Sequence, residues 1–372
     1  MSRKKNQITN AFYNRKPILK VGAHYNIIFG ERSNGKTYAF LEYALEEYVH
    51  HGSEAAYIRR YREDFTGKRG QQLFSGLTAN GAIEKITDGE WSNVYYYASR
   101  WYLCRYDEKE NRITDERPFM YGFELTGMEH EKGSGYPHVR TVILDEFISR
   151  MGYLPDEFVL FMNVLSTIIR RRDDVRIFML GNTVNKYCPY FAEMGLKHIR
   201  DMKQGTIDTY ELTTANGLLR IAVEYCAATD AKSKPSSKYF AFDNAKLKMI
   251  TSGTWELDFY PHCPYRYRPK DILFTYFICF DGEMLQCEIV LVDGHYFTFI
   301  HRKTTELKNE DSDIVFSDKF DSRPNWISRI NKPTNTVTKK IAGFFTEGKV
   351  FYQDNEVGDI VHNYLLWCVK RK

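Results

Sequence analysis

Tyr25-Asn26-Ile27-Ile28-Phe29 is a short run of apolar, β-branched and aromatic residues, and it predicts a buried strand. The period then changes. Ala39, Phe40, Ala44, Leu45, Tyr48 and Val49 recur at helical spacing until Gly52 stops them. Glu54–Ile58 predicts a second strand, and Thr141-Val142-Ile143-Leu144 is a continuous apolar run ending in two carboxylates. Buried parallel strands have this pattern, with their C-terminal ends opening on the ligand crevice. Val175–Leu180 predicts another strand, and Asp156–Ile169 before it a helix with Phe158, Val159, Phe161, Met162, Leu165 and Ile168 along it.

A different pattern follows residue 228. Residues 229–256 include the polar, Pro-broken stretch Lys232-Ser233-Lys234-Pro235-Ser236-Ser237-Lys238, which reads as a linker. Beyond it, Ile272–Phe280, Met284–Val292 and Tyr296–His301 are strand-like runs joined by Asp281-Gly282 and Asp293-Gly294-His295, which are hairpin signals. Residues 303–336 read as a long polar loop. Glu356–Lys370 then predicts an amphipathic helix with Val357, Ile360, Val361, Tyr364, Leu365 and Val369 inward. A three-strand meander followed by helices suits a small RNase H-like α+β domain over 257–372. A nuclease of that fold needs acids converging on two metals, the first in mid-strand. Phe274–Phe280 has none, and Asp281 and Asp293 sit in turns, so the domain is expected to lack nuclease chemistry.

Composition narrows the class only a little. With 372 residues, 43% hydrophobic and 27% charged, the chain is globular and large enough for about two domains. No apolar run approaches the roughly 18–20 residues that span a bilayer, and the basic start lacks the apolar stretch of a secretory signal. A soluble, intracellular protein without a membrane partner is the expectation. Seven scattered cysteines without a CxxC pair argue against a disulfide framework or a structural zinc. A net charge of +4 permits a nucleic-acid partner without demanding one. Most of the 27 Tyr and 25 Phe fall in predicted strands and helices, which favours burial over base stacking.

The chemistry lies between the first strand and helix. Gly30-Glu31-Arg32-Ser33-Asn34-Gly35-Lys36-Thr37 fits G-x-x-x-x-G-K-[ST] in the strand–loop–helix context of a phosphate-binding P-loop. Residues 30–35 curl so that backbone N–H groups and the helix N-terminus face phosphates. Lys36 is suited to the β/γ oxygens and the Thr37 hydroxyl to Mg²⁺. Asp145 is the expected second Mg²⁺-shell residue, and Glu146 the general base for an attacking water. The adjoining glutamate predicts the additional-strand catalytic-glutamate (ASCE) type of P-loop NTPase. Its extra strand, between the P-loop and acidic strands, carries a polar sensor. Val175–Leu180 and Asn182 fit that strand and sensor. The guanine motif survives only as Asn185-Lys186-Tyr187-Cys188, without its aspartate, so ATP is the expected nucleotide. Arg170-Arg171-Arg172 ends the helix where ring ATPases keep an arginine for a neighbour's phosphoryl charge; helix-dipole stabilisation is the other reading. Arg59 and Arg60, at the end of their strand, pose the same question.

Taken together, these residues resemble the DNA-packaging (encapsidation) ATPases of phi29-like podophages. The resemblance is carried by Phe12-Tyr13-Asn14, the P-loop, Tyr57-Ile58-Arg59-Arg60-Tyr61, and Glu131–Pro137 leading into Thr141–Ile148. It continues through Thr167–Arg172, Asn182 and Asn185–Phe191, and fades past about residue 200. It implies a homo-oligomeric, pentameric ring at the portal of a procapsid, in the host bacterial cytoplasm and absent from the mature virion, driving double-stranded DNA inward. A structural RNA, as in some relatives, stays open. The resemblance puts Lys36 and Thr37 on the P-loop pair and Asp145 and Glu146 on the acidic pair; Arg59, from its place at the strand end, is a further nucleotide-binding candidate. Arg170 falls on the trans-acting arginine finger, with Arg171 or Arg172 as substitutes, and Lys132 on a trans-acting or DNA-tracking lysine. The expected domains are an ATPase over 1–228, a linker over 229–256, and the RNase H-like domain over 257–372. A terminase-like nuclease–ATPase and a nucleotide-gated binding protein without translocation are the alternatives.

Overall fold

The computed structural model describes residues 13–127, 135–149, 153–183, 188–196, 198–214, 217–227 and 260–370. They fall into two units, the first drawn from 1–148, 156–183 and 198–254, the second from 149–155, 184–197 and 255–372. The expected linker lies outside the described residues, as do Lys132 and Asn185–Tyr187. Among the described residues no helix is long and apolar enough to cross a membrane.

The first unit begins with α1 (Lys16–Val21), β1 (Tyr25–Gly30), α2 (Lys36–His51) and β2 (Glu54–Arg59). Three short helices follow, α3 (Lys68–Gln72), α4 (Ser75–Ala79) and α5 (Ala82–Ile86), and then β3 (Asn93–Tyr97), β4 (Arg100–Tyr106), β5 (Arg112–Thr114) and β6 (Met120–Glu124). β7 (Val139–Asp145), α6 (Glu157–Ile169), β8 (Arg176–Asn182), β9 (Thr206–Thr214) and β10 (Gly217–Tyr225) complete it. Its sheet runs β3-β4-β6-β2-β7-β8-β1-β10-β9, with β5 on β4. From β6 to β10 every neighbouring pair is parallel. Antiparallel pairing returns at the two ends, β4 on β6 and β9 on β10. β8 thus lies between the P-loop strand and the acidic strand, as the additional-strand type requires.

The apolar runs form central strands because both faces are covered: Ile27, Ile28, Phe29, Val142 and Ile143 are fully buried. α2 lays Phe40, Leu41, Ala44 and Leu45 onto Ile28, Ile143 and Phe178, and the Phe40 and Phe178 ring centroids are 4.5 Å apart. Each such large side chain contributes about 1.5–3 kcal/mol by leaving water. That packing fixes the start of α2, and with it the phosphate loop.

The second unit includes α7 (Pro189–Glu193), and carries a six-stranded sheet among the described residues. Its strands are β11 (Ile272–Phe280), β12 (Glu283–Val292), β13 (His295–Arg302), β14 (Val315–Ser317), β15 (Trp326–Ile327) and β16 (Val350–Tyr352), in the order β15-β14-β11-β12-β13-β16. β11, β12 and β13 are an antiparallel meander, turned at Asp281-Gly282 and Asp293-Gly294 with positive φ at all four positions. β14 joins β11 in parallel and β15 joins β14 in parallel. α8 (Thr336–Thr346) and α9 (Asn355–Lys370) pack Ile341, Val357, Ile360 and Tyr364 onto Ile278, Leu285 and Ile300. Two expectations fail here. The supposed loop over 303–336 contains β14 and β15, whose two- and three-residue runs among charged neighbours are too short for periodicity to register. Val369, expected inward, is 71% exposed in the last turn of α9.

Candidate active site

β1 ends at Gly30, and the chain turns through Ser33 (φ 58°) and Gly35 (φ 88°) into α2. Residues 32–38, Asp145, Glu146 and 180–182 line a cavity of about 350 Å³. Gly30, Glu31 and Arg59 are not among its lining residues. Gly30 is tightly packed: a Cβ there would lie 2.8 Å from Cys226 Cβ on the strand side.

Lys36 is only 5% exposed. Its Nζ donates to the Glu31 carbonyl (2.7 Å), Asn34 Oδ1 (3.0 Å) and Asn182 Oδ1 (3.3 Å). Burial pushes its pKa down, while nearby carboxylates favour the charged form. The sensor candidate Asn182 is thereby joined to the P-loop lysine across β8 and β1. The Thr37 hydroxyl donates to Asp145 at 3.1–3.2 Å, and the Tyr57 hydroxyl donates to Asp145 Oδ2 at 2.7 Å. Burial pushes the Asp145 carboxyl above its ordinary range, against the opposing pull of Arg59 and Tyr57.

Arg59 stands among three carboxylates: Glu146 at 2.7 Å, Asp64 at 3.3 Å and Asp145 at 3.8 Å. The Glu146 side chain is 58% exposed, and its backbone is left-handed, with φ 56°. Upstream, the Tyr13 N–H donates to the Asn34 carbonyl (2.8 Å) and its hydroxyl to Glu224 (2.6 Å), tying the segment before α1 to the phosphate loop.

The helix-end arginines differ. Arg170 is exposed at the end of α6 with φ 54°, and Arg171 is also exposed. Arg172 is turned inward, and donates to the carbonyls of Val139 (2.6 Å), Ile168 (2.9 Å), Tyr136 (3.1 Å), Pro137 (3.1 Å) and Ile169 (3.3 Å). Its guanidinium fastens the lead-in of β7 to the end of α6. Lys132 lies outside the described residues. Tyr57 and Glu157 were not singled out as site residues from sequence, although Tyr57 belongs to the Tyr-Ile-Arg-Arg-Tyr run; Arg60, raised there with Arg59 as a candidate for phosphoryl charge, is paired with Glu157 instead.

This fold and this cradle define a P-loop NTPase of the additional-strand catalytic-glutamate type. Residues 8–78 and 113–209 match the family model for the podovirus DNA encapsidation protein (Gp16). The DNA packaging protein of Bacillus phage phi29 is 27% identical over 188 residues, 50% of each chain. That of Bacillus phage B103 is 28% identical over 174 residues, 46% of this chain and 48% of its own. The match spans about half the length of these curated relatives. The solved Phi-28 gp11 DNA packaging motor covers 96% of this chain and 98% of its own, at 19% identity and a TM-score of 0.55. A Phi-29 viral genome packaging motor assembly covers 95% and 98%, at 18% identity and 0.55; at such identities the likeness speaks to fold. Over the matched region this chain is similar to the podovirus DNA encapsidation proteins.

Proposed function

We propose that the chain hydrolyses ATP as one subunit of a homo-oligomeric ring, and so drives double-stranded DNA through the portal of a procapsid. The observation that carries this reading is the Thr37–Asp145 contact with Glu146 adjoining it, in a chain whose matched region is similar to the encapsidation proteins. The loop from Gly30 to Gly35 and Lys36 hold the phosphates. Thr37 and Asp145 offer a hydroxyl and a carboxylate within 3.2 Å of each other, an oxygen donor set that suits Mg²⁺. When bound, that ion offsets charge on the transferred phosphoryl group. Glu146 orients the attacking water, and Asn182 reads the γ-phosphate position through Lys36. Arg59 grips the Glu146 carboxylate in this geometry, so the base must leave a guanidinium to act. Arg170 serves a neighbour's site, with Arg171 as substitute; Arg172 is spent on backbone carbonyls. Lys132 keeps its trans-acting or DNA-contact role.

The proposed domains are 1–228, a linker over 229–256, and 257–372. The meander β11–β13 with β14 and β15 added in parallel beside β11 supports an RNase H-like fold for the last. Asp281 and Asp293 stand in hairpin turns with positive φ, which supports a role in DNA contact, assembly or portal docking rather than cutting. A structural RNA remains an open partner. The motor would act in the host cytoplasm, at the portal vertex, and be absent from the finished virion.

The test is ATPase activity of the assembled chain with and without linear duplex DNA. Stimulation by duplex together with loss of hydrolysis, but not of ATP binding, in Glu146→Gln is expected. Turnover indifferent to DNA would favour a nucleotide-gated binding protein instead.

A further inference from the structure

Arg60 follows β2 directly but does not line the nucleotide cavity. Its Nε and one terminal nitrogen form a two-point pair with Glu157, both at 2.7 Å. The same guanidinium donates to the backbone carbonyls of Phe147 (3.0 Å) and Glu146 (3.3 Å). The Glu157 side chain is fully buried and that of Arg60 is 11% exposed. A planar fork with five donors and no acceptor suits such an arrangement, and an ammonium does not. What it grips is the peptide following the acidic strand, where Glu146 takes a left-handed backbone that non-glycine residues seldom adopt. Glu157 is the first residue of α6, and Arg170 follows its last.

We propose that Arg60 is a positioning residue for hydrolysis. It holds the Glu146–Phe147 backbone in the turn that aims the Glu146 carboxylate, and through Glu157 it fastens that turn to the helix ending in Arg170. The proposal rests on Glu146 being the base. A purely structural pair would stabilise the fold without favouring one chemical step; a positioning pair works through Glu146 alone.

Arg60→Lys keeps a positive charge opposite Glu157 but cannot hold the carboxylate and both carbonyls. In the full chain, melting and affinity for a fluorescent ATP analogue should stay close to wild type, within about twofold for the latter. Single-turnover hydrolysis should fall about thirtyfold. In a Glu146→Gln background the same change should cause no further loss, because the group being aimed is gone. Wild-type hydrolysis by a folded Arg60→Lys protein, or an equal loss in both backgrounds, would overturn the proposal. If Glu146→Gln alone hydrolyses normally, the base reading falls and takes this one with it; a dead Glu146→Gln beside an active Arg60→Lys overturns the positioning role alone. Should Arg60→Lys fail to fold, the isosteric Glu157→Gln carries the same cycle. A loss of about fivefold confined to the Glu146 background supports the proposal, and an equal loss in both refutes it.

Discussion

Gly30 begins the phosphate loop with no room beside it. An added methyl would lie 2.8 Å from Cys226 Cβ, well inside the roughly 3.5–4.0 Å at which carbons rest. Gly30→Ala should therefore displace the loop, lowering stability by about 1–3 kcal/mol and weakening nucleotide binding about tenfold. The atom in the way is a Cβ, so Cys226→Ala should not rescue it, whereas Cys226→Gly should. Melting and nucleotide titration of the three proteins decide the matter; equal rescue by alanine would refute the steric account. Lys36, Thr37, Asp145 and Glu146 were legible in the sequence because a local motif and a strand end encode them. Glu157 was not: near a helix start it reads as an acid favouring the dipole, and nothing local reveals a partner in Arg60, 97 positions away.

At the scale of elements, β12 and β13 share a polar cluster around the buried Glu288. Glu288 accepts from Tyr267 (2.6 Å) and Gln286 (2.8 Å), and faces His301 Nε2 at 3.4 Å. The Glu288 partnership raises the His301 pKa above its ordinary value. Burial pushes Glu288 upward, but the bonds from His301, Tyr267 and Gln286 outweigh it and hold the carboxyl below its usual range. The raised histidine stabilises the fold fully below its unfolded pKa of about 6.5, and that contribution is lost as pH rises through the higher folded value. The lowered carboxylate works oppositely: its contribution is present above an unfolded pKa of about 4.3 and fades as pH falls through the lower folded value. Amide-exchange protection of β12 and β13 in the full chain, corrected for intrinsic rates, should decline as pH rises above the ordinary histidine value of about 6.5. His301→Gln should flatten that decline; an unchanged profile would refute the assignment. β1, β2, β7, β8, α2, α6 and the meander could be anticipated from their apolar runs and periodicity, whereas β6 and β10, parallel in the same sheet, were not. β14 and β15 could not, because β14 takes its order from β11 and β15 from β14 rather than from any pattern of their own.

At the scale of the molecule, the proposed cycle needs more than one chain, because it assigns Arg170 to a neighbour's site. ATP turnover per chain should therefore climb with protein concentration as rings assemble, and Arg170→Ala subunits mixed into wild type should depress it more steeply than dilution. Constant turnover at every concentration would remove the trans-acting arginine. The modest net charge of +4 would suit the proposed motor, which has to hold duplex DNA and still let it slide, since affinity rises with each phosphate neutralised. The sheet order has one more consequence, for the order in which the protein is made. β1 lies inside its sheet, yet Tyr25 pairs only with Ile177 on β8 and Ile221 on β10. At about 5–20 residues per second, synthesis leaves this apolar strand without either neighbour for on the order of ten seconds. Its open edges then invite pairing with other chains. The phosphate cradle is translated well before both of its neighbouring strands and is among the last parts of its sheet to close.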